Sequence, residues 1–389
     1  MIDTSRLDSL VAAVLPDVVE VRRAIHSQPE LSSEEYDTTA LLVDRLRSAG
    51  LSPWLRTPKT GLTVDIGSGP TTVAFRADLD ALPIQEPAGL EFASSVPGVM
   101  HACGHDAHAA IALGVALVLS RMELPCRARI LFQPAEETFP GGAFDFCKEG
   151  AIDGVDSILA FHVDPSLEVG YVGFREGAIT ASADRFYITL EGQGGHTARP
   201  HKTVDMVYAA GKLATDLPAL LDRKLDARAP MALVFGRIQA GTADNVIPTS
   251  ADLSGTVRVA DPAVRELIPP LLESLVHQIV EPLGAKAKVH YQRGIPPVMN
   301  DPEVLEVLRA ATAAAIGDHR TRPTHLSMGA EDFARYLEDV PGCLLRLGCQ
   351  TPGEFTDLHS SAFVLDEACL AVGVRVAVEG ILALSAFSR

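Results

Sequence analysis

The stretch MHACGHDAHAA, residues 100–110, decides how the rest of the chain is read. Cys103 and His105 stand two residues apart in it, flanked by His101, Asp106 and His108. Gly104 between them allows a tight turn that brings both side chains to one point. The apolar run 107–122 follows and predicts a buried helix with Asp106 near its start. The cluster therefore sits in a loop at a helix N-terminus, where backbone N–H groups favour a thiolate or another anion. An isolated Cys-Gly-His is more often a buried cysteine with capping neighbours. The weight falls on what distant segments add.

Upstream, Leu7, Leu10, Val11, Val14, Val18 and Ile25 recur at helical spacing. His26 follows as a structural residue, and a second helix is expected over 34–48, closed by Gly50. Residues 71–76 read as a short strand opening into ADLDALP, with Asp78 and Asp80. Downstream, strand 128–133 runs into Pro134, Ala135, Glu136 and Glu137, and strand 157–161 ends at His162. Strands alternating with helices predict an α/β fold, a mostly parallel sheet with helices on both faces. Three strands deliver acids or an imidazole at their C-terminal ends, where open parallel sheets place their crevice.

The pattern changes near Asp184. Phe186, Ile188 and Leu190 alternate as in a half-exposed strand, and a helix is expected over 203–221. Strands over 231–240 and 252–259 come next. Asp261-Pro262 then starts a helix, and Ala287, Val289 and Tyr291 mark a last strand. Strand, helix, strand, strand, helix, strand is the order of a ferredoxin-like α+β domain. Placed at 184–292, it splits a discontinuous catalytic domain into 1–183 and 293–389. Asp301-Pro302 caps a helix ending at Gly317, and strand 343–347 with TDLHSSAF, carrying His359, completes the first domain.

Composition narrows the classes of function. Of 389 residues, 47% are hydrophobic and 21% charged, a globular balance with room for two or three domains. The formal net charge of -17 argues against a nucleic-acid partner. No uninterrupted apolar run reaches the length of a membrane span, so no membrane partner is expected. The opening MIDTSRLDSL lacks the basic-then-apolar layout of a signal peptide. Cys103, Cys126, Cys147, Cys343, Cys349 and Cys369 are too sparse for a disulfide framework. Both features point to the cytoplasm.

Cys103, His105, Glu137, His162 and His359 are the candidate metal ligands. Thiolate, imidazole and carboxylate together suit zinc, manganese or cobalt. Five ligands exceed one tetrahedral site and suggest two ions that share a hydroxide and polarise a carbonyl. In the pair Glu136-Glu137, one carboxylate can bind metal while the other serves as general base. Asp80 is either a turn residue or the acceptor that orients a ligand imidazole. Beyond 184, His196 follows a Gly-rich turn, ADNVIP holds Asn245, and Arg258 lies on the polar face of a strand. All three can donate hydrogen bonds to an oxyanion or a carboxylate.

The set FRADLDALP, MHACGHDAH, FQPAEE, FHVDP, GQGGHTARPH, DNVIPTSADLSGTVR, MGAEDFA and LHSSAF resembles the amidohydrolase subgroup of the aminoacylase and carboxypeptidase-type metallopeptidases. That subgroup includes hippurate hydrolases, N-acyl-amino acid amidohydrolases and auxin-conjugate hydrolases. The resemblance implies a metallopeptidase-like catalytic domain with an inserted lid and dimerisation domain. It implies two divalent ions per chain, zinc or manganese with cobalt or nickel also compatible, on Cys103, His105, Glu137, His162 and His359. It makes Glu136 the general base and Asp80 a support of the site, and it sets His196, Asn245 and Arg258 against the substrate. Two departures stand out: Thr138, Phe139, Pro140, Gly141 and Gly142 replace the usual Gly-rich run, and Asp205-Met206 replaces Asp-Pro.

The expected activity is hydrolysis of the amide bond of N-acyl-amino acids or similar small conjugates, through a metal-bound hydroxide, by a homodimer. A dipeptidase or carboxypeptidase of the same family is the alternative. A thiol hydrolase with Cys103 as nucleophile leaves Glu136, Glu137, His162 and His359 unexplained. A non-catalytic binding protein requires the loss of a ligand or the base, and none is lost.

Overall fold

The computed structural model describes residues 4–56, 60–351, 353 and 355–387. Residues 1–3 of the N-terminal reading lie outside it. The chain forms two compact units, one of 1–177, 299–325 and 332–389, the other of 178–298 and 326–331. The boundaries 184 and 292 read from the sequence fall inside the second unit.

The first unit is built on an eight-stranded sheet. Its spatial order is Trp54–Leu55, Leu62–Ile66, Arg127–Gln133, Thr72–Asp78, Ser157–Glu168, Gly342–Gln350, Val172–Phe174 and Thr321–Pro323. The centre is parallel: Thr72–Asp78 pairs in parallel with Arg127–Gln133 and with Ser157–Glu168, and Ser157–Glu168 with Gly342–Gln350. Leu62–Ile66 joins antiparallel. Every residue of Thr72–Asp78 is buried, as expected for a central strand covered on both faces.

The helices Thr4–Ser27, His105–Leu119, Pro302–Ile316 and Ala368–Ser385 pack together and onto this sheet. Every residue of His105–Leu119 is buried, the outcome expected of a helix apolar all round. Ala368–Ser385 is long and apolar enough to cross a membrane by length and composition. Here Leu370, Val374, Ala377 and Ile381 on it are buried in the unit's core.

One strand end differs from the sequence reading. The strand does not stop at His162 but continues to Glu168, because Gly342–Gln350 keeps pairing with it as far as Glu168. His162 still lies beyond the point where its strand's pairing with Thr72–Asp78 finishes, at Arg76 opposite Ala160.

The second unit holds a four-stranded antiparallel sheet in the order Met231–Ala240, Ser250–Val259, Ala183–Glu191, Lys286–Ile295. With helices Met206–Asp222 and Pro262–Val280 it forms the ferredoxin-like arrangement read from the sequence. Phe186, Ile188 and Leu190 are buried while Arg185, Tyr187 and Glu191 are exposed, so one face of the sheet meets the helices. Asp261 caps the second helix by accepting from the N–H groups of Ala263 and Val264. Asp184, fully buried, accepts from Arg265, Gly294 N–H and Tyr291 O–H and so ties the first strand to the last.

Candidate metal centre

Gly104 is the N-cap of helix His105–Leu119 and has φ +81°, a conformation that favours glycine. A Cβ there would lie 2.4 Å from Cγ2 of Val163, so the missing side chain also lets the strand carrying His162 approach. The Cys103 thiol lies 3.5 Å from Nε2 of His162 and 3.3 Å from Nε2 of His359. Nε2 of His359 is 3.1 Å from Oε1 of Glu137, and Nε2 of His105 is 4.0 Å from that same oxygen.

These side chains form overlapping triads. The ligand atoms of Cys103, His105 and His162 all lie within 4.8 Å of one another. So do those of Cys103, Glu137 and His359, and those of His105, Glu136 and Glu137. Four segments remote in sequence thus bring their donors to one place in the first unit. His359 does so from a left-handed backbone, φ +58°, uncommon for a residue with a Cβ.

The hydrogen bonds assign the imidazole tautomers. Nδ1–H of His162 donates to the carbonyl of Val163 at 2.8 Å, which leaves the Nε2 lone pair toward Cys103. Nδ1 of His105 faces Oδ1 of Asp80 at 3.3 Å, and its buried Nε2 has no hydrogen-bond partner. Oε1 of Glu137 is buried too, and its nearest polar neighbour is Nε2 of His359 at 3.1 Å. An unbonded imidazole nitrogen and a buried carboxylate oxygen beside a thiol and two further imidazoles are the donor set of a borderline divalent cation. The residues fit a metal.

The charges agree. Burial holds the His162 ring well below its ordinary pKa, with Arg346 adding to the effect, so the ring is neutral and able to ligate. Burial opposes charge on His105, yet Asp78, Cys103 and Asp80 hold its pKa well above the ordinary value. Burial pushes the Cys103 thiol far up despite the helix N-terminus beside it. That is the opposite of what a free thiolate nucleophile needs, and a cation is what removes its proton.

Asp80 accepts the N–H groups of Glu136 at 3.0 Å and Glu137 at 2.9 Å and the hydroxyl of Ser32 at 2.6 Å. It therefore orients His105 and holds the backbone of the Glu pair together, so it is more than a turn residue.

Behind it lie residues to which the sequence reading assigned no part. Nδ1–H of His108 donates to Asp78 at 2.6 Å, and Nε2 of His108 accepts from Val163 N–H at 2.9 Å. With both nitrogens engaged, His108 props the His162 strand instead of ligating. Arg76, itself buried, bridges Asp78 at 2.6 Å and Asp332 at 2.7 Å. The backbone N–H of Asp332 reaches Oε1 of Glu136 at 3.4 Å. Asp78 and Asp332 stand inside FRADLDALP and MGAEDFA, so their signal was the motif and not a local pattern. Glu35, whose Oε1 accepts Ala135 N–H at 2.8 Å, carried no signal beyond an acid near a helix start.

His196, Asn245 and Arg258 belong to the second unit. The pair Gly195–His196 runs antiparallel to Val246–Ile247, and Thr197 N–H reaches the Asn245 carbonyl at 3.4 Å, so His196 and Asn245 share one corner. Nδ1 of exposed His196 accepts from Ala198 N–H at 3.1 Å, which puts the ring proton of the neutral form on Nε2, free to donate. Arg258 stands between buried Val257 and Val259 and faces away from that core. Burial, with Arg185 nearby, lowers its pKa, and among the described residues no hydrogen bond or ion pair holds its guanidinium.

Comparison with known proteins follows the same lines. Residues 74–383 match the sequence model of peptidase family M20/M25/M40. A protein of Rhodococcus jostii (strain RHA1) named glutamate–cysteine ligase 2-3 is 46% identical over 365 residues, 93% of this chain. The match takes in 46% of that protein, so the chain spans about half its length. The N-acyl-L-amino acid amidohydrolase of Geobacillus stearothermophilus is 42% identical over 295 residues, 75% of this chain and 80% of that one. The crystal structure of the YXEP protein of Bacillus subtilis, described as a dinuclear metal binding peptidase, superposes with a TM-score of 0.85 at 35% identity, covering 96% of this chain and 99% of that one.

Proposed function

The chain belongs to peptidase family M20/M25/M40 and is a metal-dependent hydrolase of amide bonds; from that premise we propose that it cleaves N-acyl-amino acids and similar small conjugates, hippurate-like and N-acetyl-amino acid-like. The observation that carries the reading is the convergence of the buried or half-buried donor atoms of Cys103, His105, Glu137, His162 and His359 at one place. These five would hold two divalent ions, zinc or manganese. Bound there, the ions supply Lewis acidity and lower the pKa of water.

The chain's own groups do the rest. Glu136 takes a proton from the water that attacks the amide carbon. It returns that proton to the nitrogen as the C–N bond breaks, releasing a carboxylic acid and the amino acid. Asp80 keeps the backbone of the Glu pair and the His105 ring in place. Nε2–H of His196 and the Asn245 amide donate to the oxyanion, and Arg258 receives the carboxylate of the amino acid.

The working form in this reading is a homodimer through the second unit, in the cytoplasm. Edge strand Met231–Ala240 supports the dimer, with Val234 and Ile238 exposed at 58% and 48% where pairing with a second copy would cover them. Six free cysteines support a reducing compartment.

A small-peptide hydrolase is the second reading, favoured by the name peptidase carried by the similar Bacillus subtilis structure. Turnover by the metal-loaded protein of N-benzoylglycine and N-acetyl-amino acids against unblocked dipeptides separates the two. The proposal expects the N-acyl compounds to be cleaved at least about tenfold faster in kcat/KM, a difference of about 1.4 kcal/mol in the barrier. Faster cleavage of dipeptides overturns it.

A further inference from the structure

The Glu pair is carried by a turn with unusual backbone. Ala135, just before Glu136, has φ +57°. A side chain with a Cβ resists this left-handed region and stays there only where its surroundings hold it. Three successive N–H groups of the turn donate to buried carboxylates. Those of Glu136 and Glu137 go to Asp80, and that of Ala135 goes to Oε1 of Glu35 at 2.8 Å. The Ala135 carbonyl accepts from Gly142 N–H at 2.9 Å, which closes the turn.

Beyond a hydrogen bond with the Thr60 side chain, Glu35 has no other evident part. It has no exposed surface, and among the described residues no cation pairs with it. It stands at the N-cap of helix Tyr36–Ser48, yet its side chain makes no capping bond there. The same Oε1 also accepts from Ser33 N–H at 2.9 Å, and Ser33 is left-handed too, at φ +68°. Placing a carboxyl in the interior is costly unless its hydrogen bonds are needed. Here they fasten one left-handed residue to another, 102 positions apart.

We propose that Glu35 is a positioning residue for hydrolysis: its Oε1 holds Ala135 in the left-handed conformation and so sets where Glu136 presents its carboxylate. The inference rests on the reading of Glu136 as general base. A change of about 10° at Ala135 φ moves a carboxylate about 5 Å away by about 1 Å, and a misplacement of that size can cost about 10²-fold in rate.

The test uses the full-length, metal-loaded enzyme with a cleaved N-acyl-amino acid. Glu35→Met keeps length and bulk but removes the acceptor. Glu35→Gln keeps an amide oxygen in its place. Each is made alone and with Ala135→Gly, and Glu136→Gln serves as reference. Three quantities are read: kcat and KM separately, metal bound per chain, and hydrogen exchange of peptide 134–142 in metal-free protein.

Glu35→Met is expected to lower kcat about 10–100-fold with KM within about threefold and metal content unchanged, and to speed exchange in that peptide. Glu35→Gln should stay within about threefold of wild type. Adding Ala135→Gly to Glu35→Met should restore kcat about fivefold or more, because glycine adopts the left-handed conformation freely. A packing role alone would show no such rescue. Should Glu35→Met fail to fold, Glu35→Asp supplies the same comparison by withdrawing the oxygen one methylene.

Wild-type kcat in the folded variant overturns the proposal, as does a loss that Ala135→Gly leaves unrelieved. An active Glu136→Gln overturns the general-base reading and this inference with it. An inactive Glu136→Gln beside a fully active Glu35→Met overturns the Glu35 inference alone.

Discussion

Nε2 of His359 lies 3.3 Å from Sγ of Cys103, two residues 256 positions apart in the chain. The first stands on a left-handed loop residue and the second in the turn before a buried helix. Their closeness makes the metal centre depend on both ends of the first unit. Elemental analysis after metal loading should give two divalent ions per chain, and a chelator should abolish activity until metal is restored. Cys103→Ser should weaken binding, because a hydroxyl replaces thiolate poorly. Full activity with at most one ion counts against the two-ion centre.

In the proposed mechanism the Glu pair divides its work by residue. Glu136→Gln should keep both ions and lose about 10²-fold or more in kcat. Glu137→Gln should release metal instead, since Oε1 of Glu137 is the oxygen that faces His105 and His359. Metal content and kcat measured on both variants decide the assignment, and exchanged phenotypes reverse it.

Arg76 compensates two fully buried carboxylates, Asp78 and Asp332. Arg76→Met removes the cation that both share and should cost about 3–5 kcal/mol of stability, the usual consequence of stripping one partner from a buried ion pair. Denaturant unfolding of the metal-free protein gives the number. A loss below about 1 kcal/mol would show that the network matters little to folding.

Arg258 is read as the carboxylate receptor. Arg258→Ala should raise KM for free-acid substrates by about tenfold or more while leaving their methyl esters or amides within about threefold, since only the acid offers a charge-assisted bond. Equal losses for both assign the guanidinium a structural part.

We propose that His196, with Nε2–H free to donate, acts in the partner chain's reaction within the proposed dimer. Mixing inactive Glu136→Ala with inactive His196→Ala under subunit exchange should restore activity, because one site of each mixed dimer then carries neither defect. An inactive mixture, once mixed dimers are demonstrated, removes the trans assignment.

Much of this was legible in one dimension because the signals are local. Apolar residues at helical spacing, alternation in Phe186, Ile188 and Leu190, and the Asp-Pro caps at 261 and 301 act over a few residues. They predicted the α/β sheet, the ferredoxin-like insertion and the order of elements. The candidate ligands were legible for a different reason, since only a few residue types bind such a cation and each stood at the end of an element or in a loop.

Tertiary structure alone decided the rest. Strand Ser157–Glu168 runs past His162 because a neighbour far along the chain, Gly342 opposite Ile158 onward, keeps bonding to it. His108 stands with His105 and Asp78 in a cluster that could also hold an ion. It is set aside because Asp78 and Val163, from two other strands, occupy both its nitrogens. Glu35 and Asp332 carry no local pattern at all. Their parts arise only when folding buries them against Ala135, Arg76 and Glu136, since a carboxylate's effect depends on which donors reach it once water is gone. Sequence determined which elements form and which chemistry is available; packing determined which atoms meet, because hydrogen bonds and ion pairs act over a few ångströms of space and not along the chain.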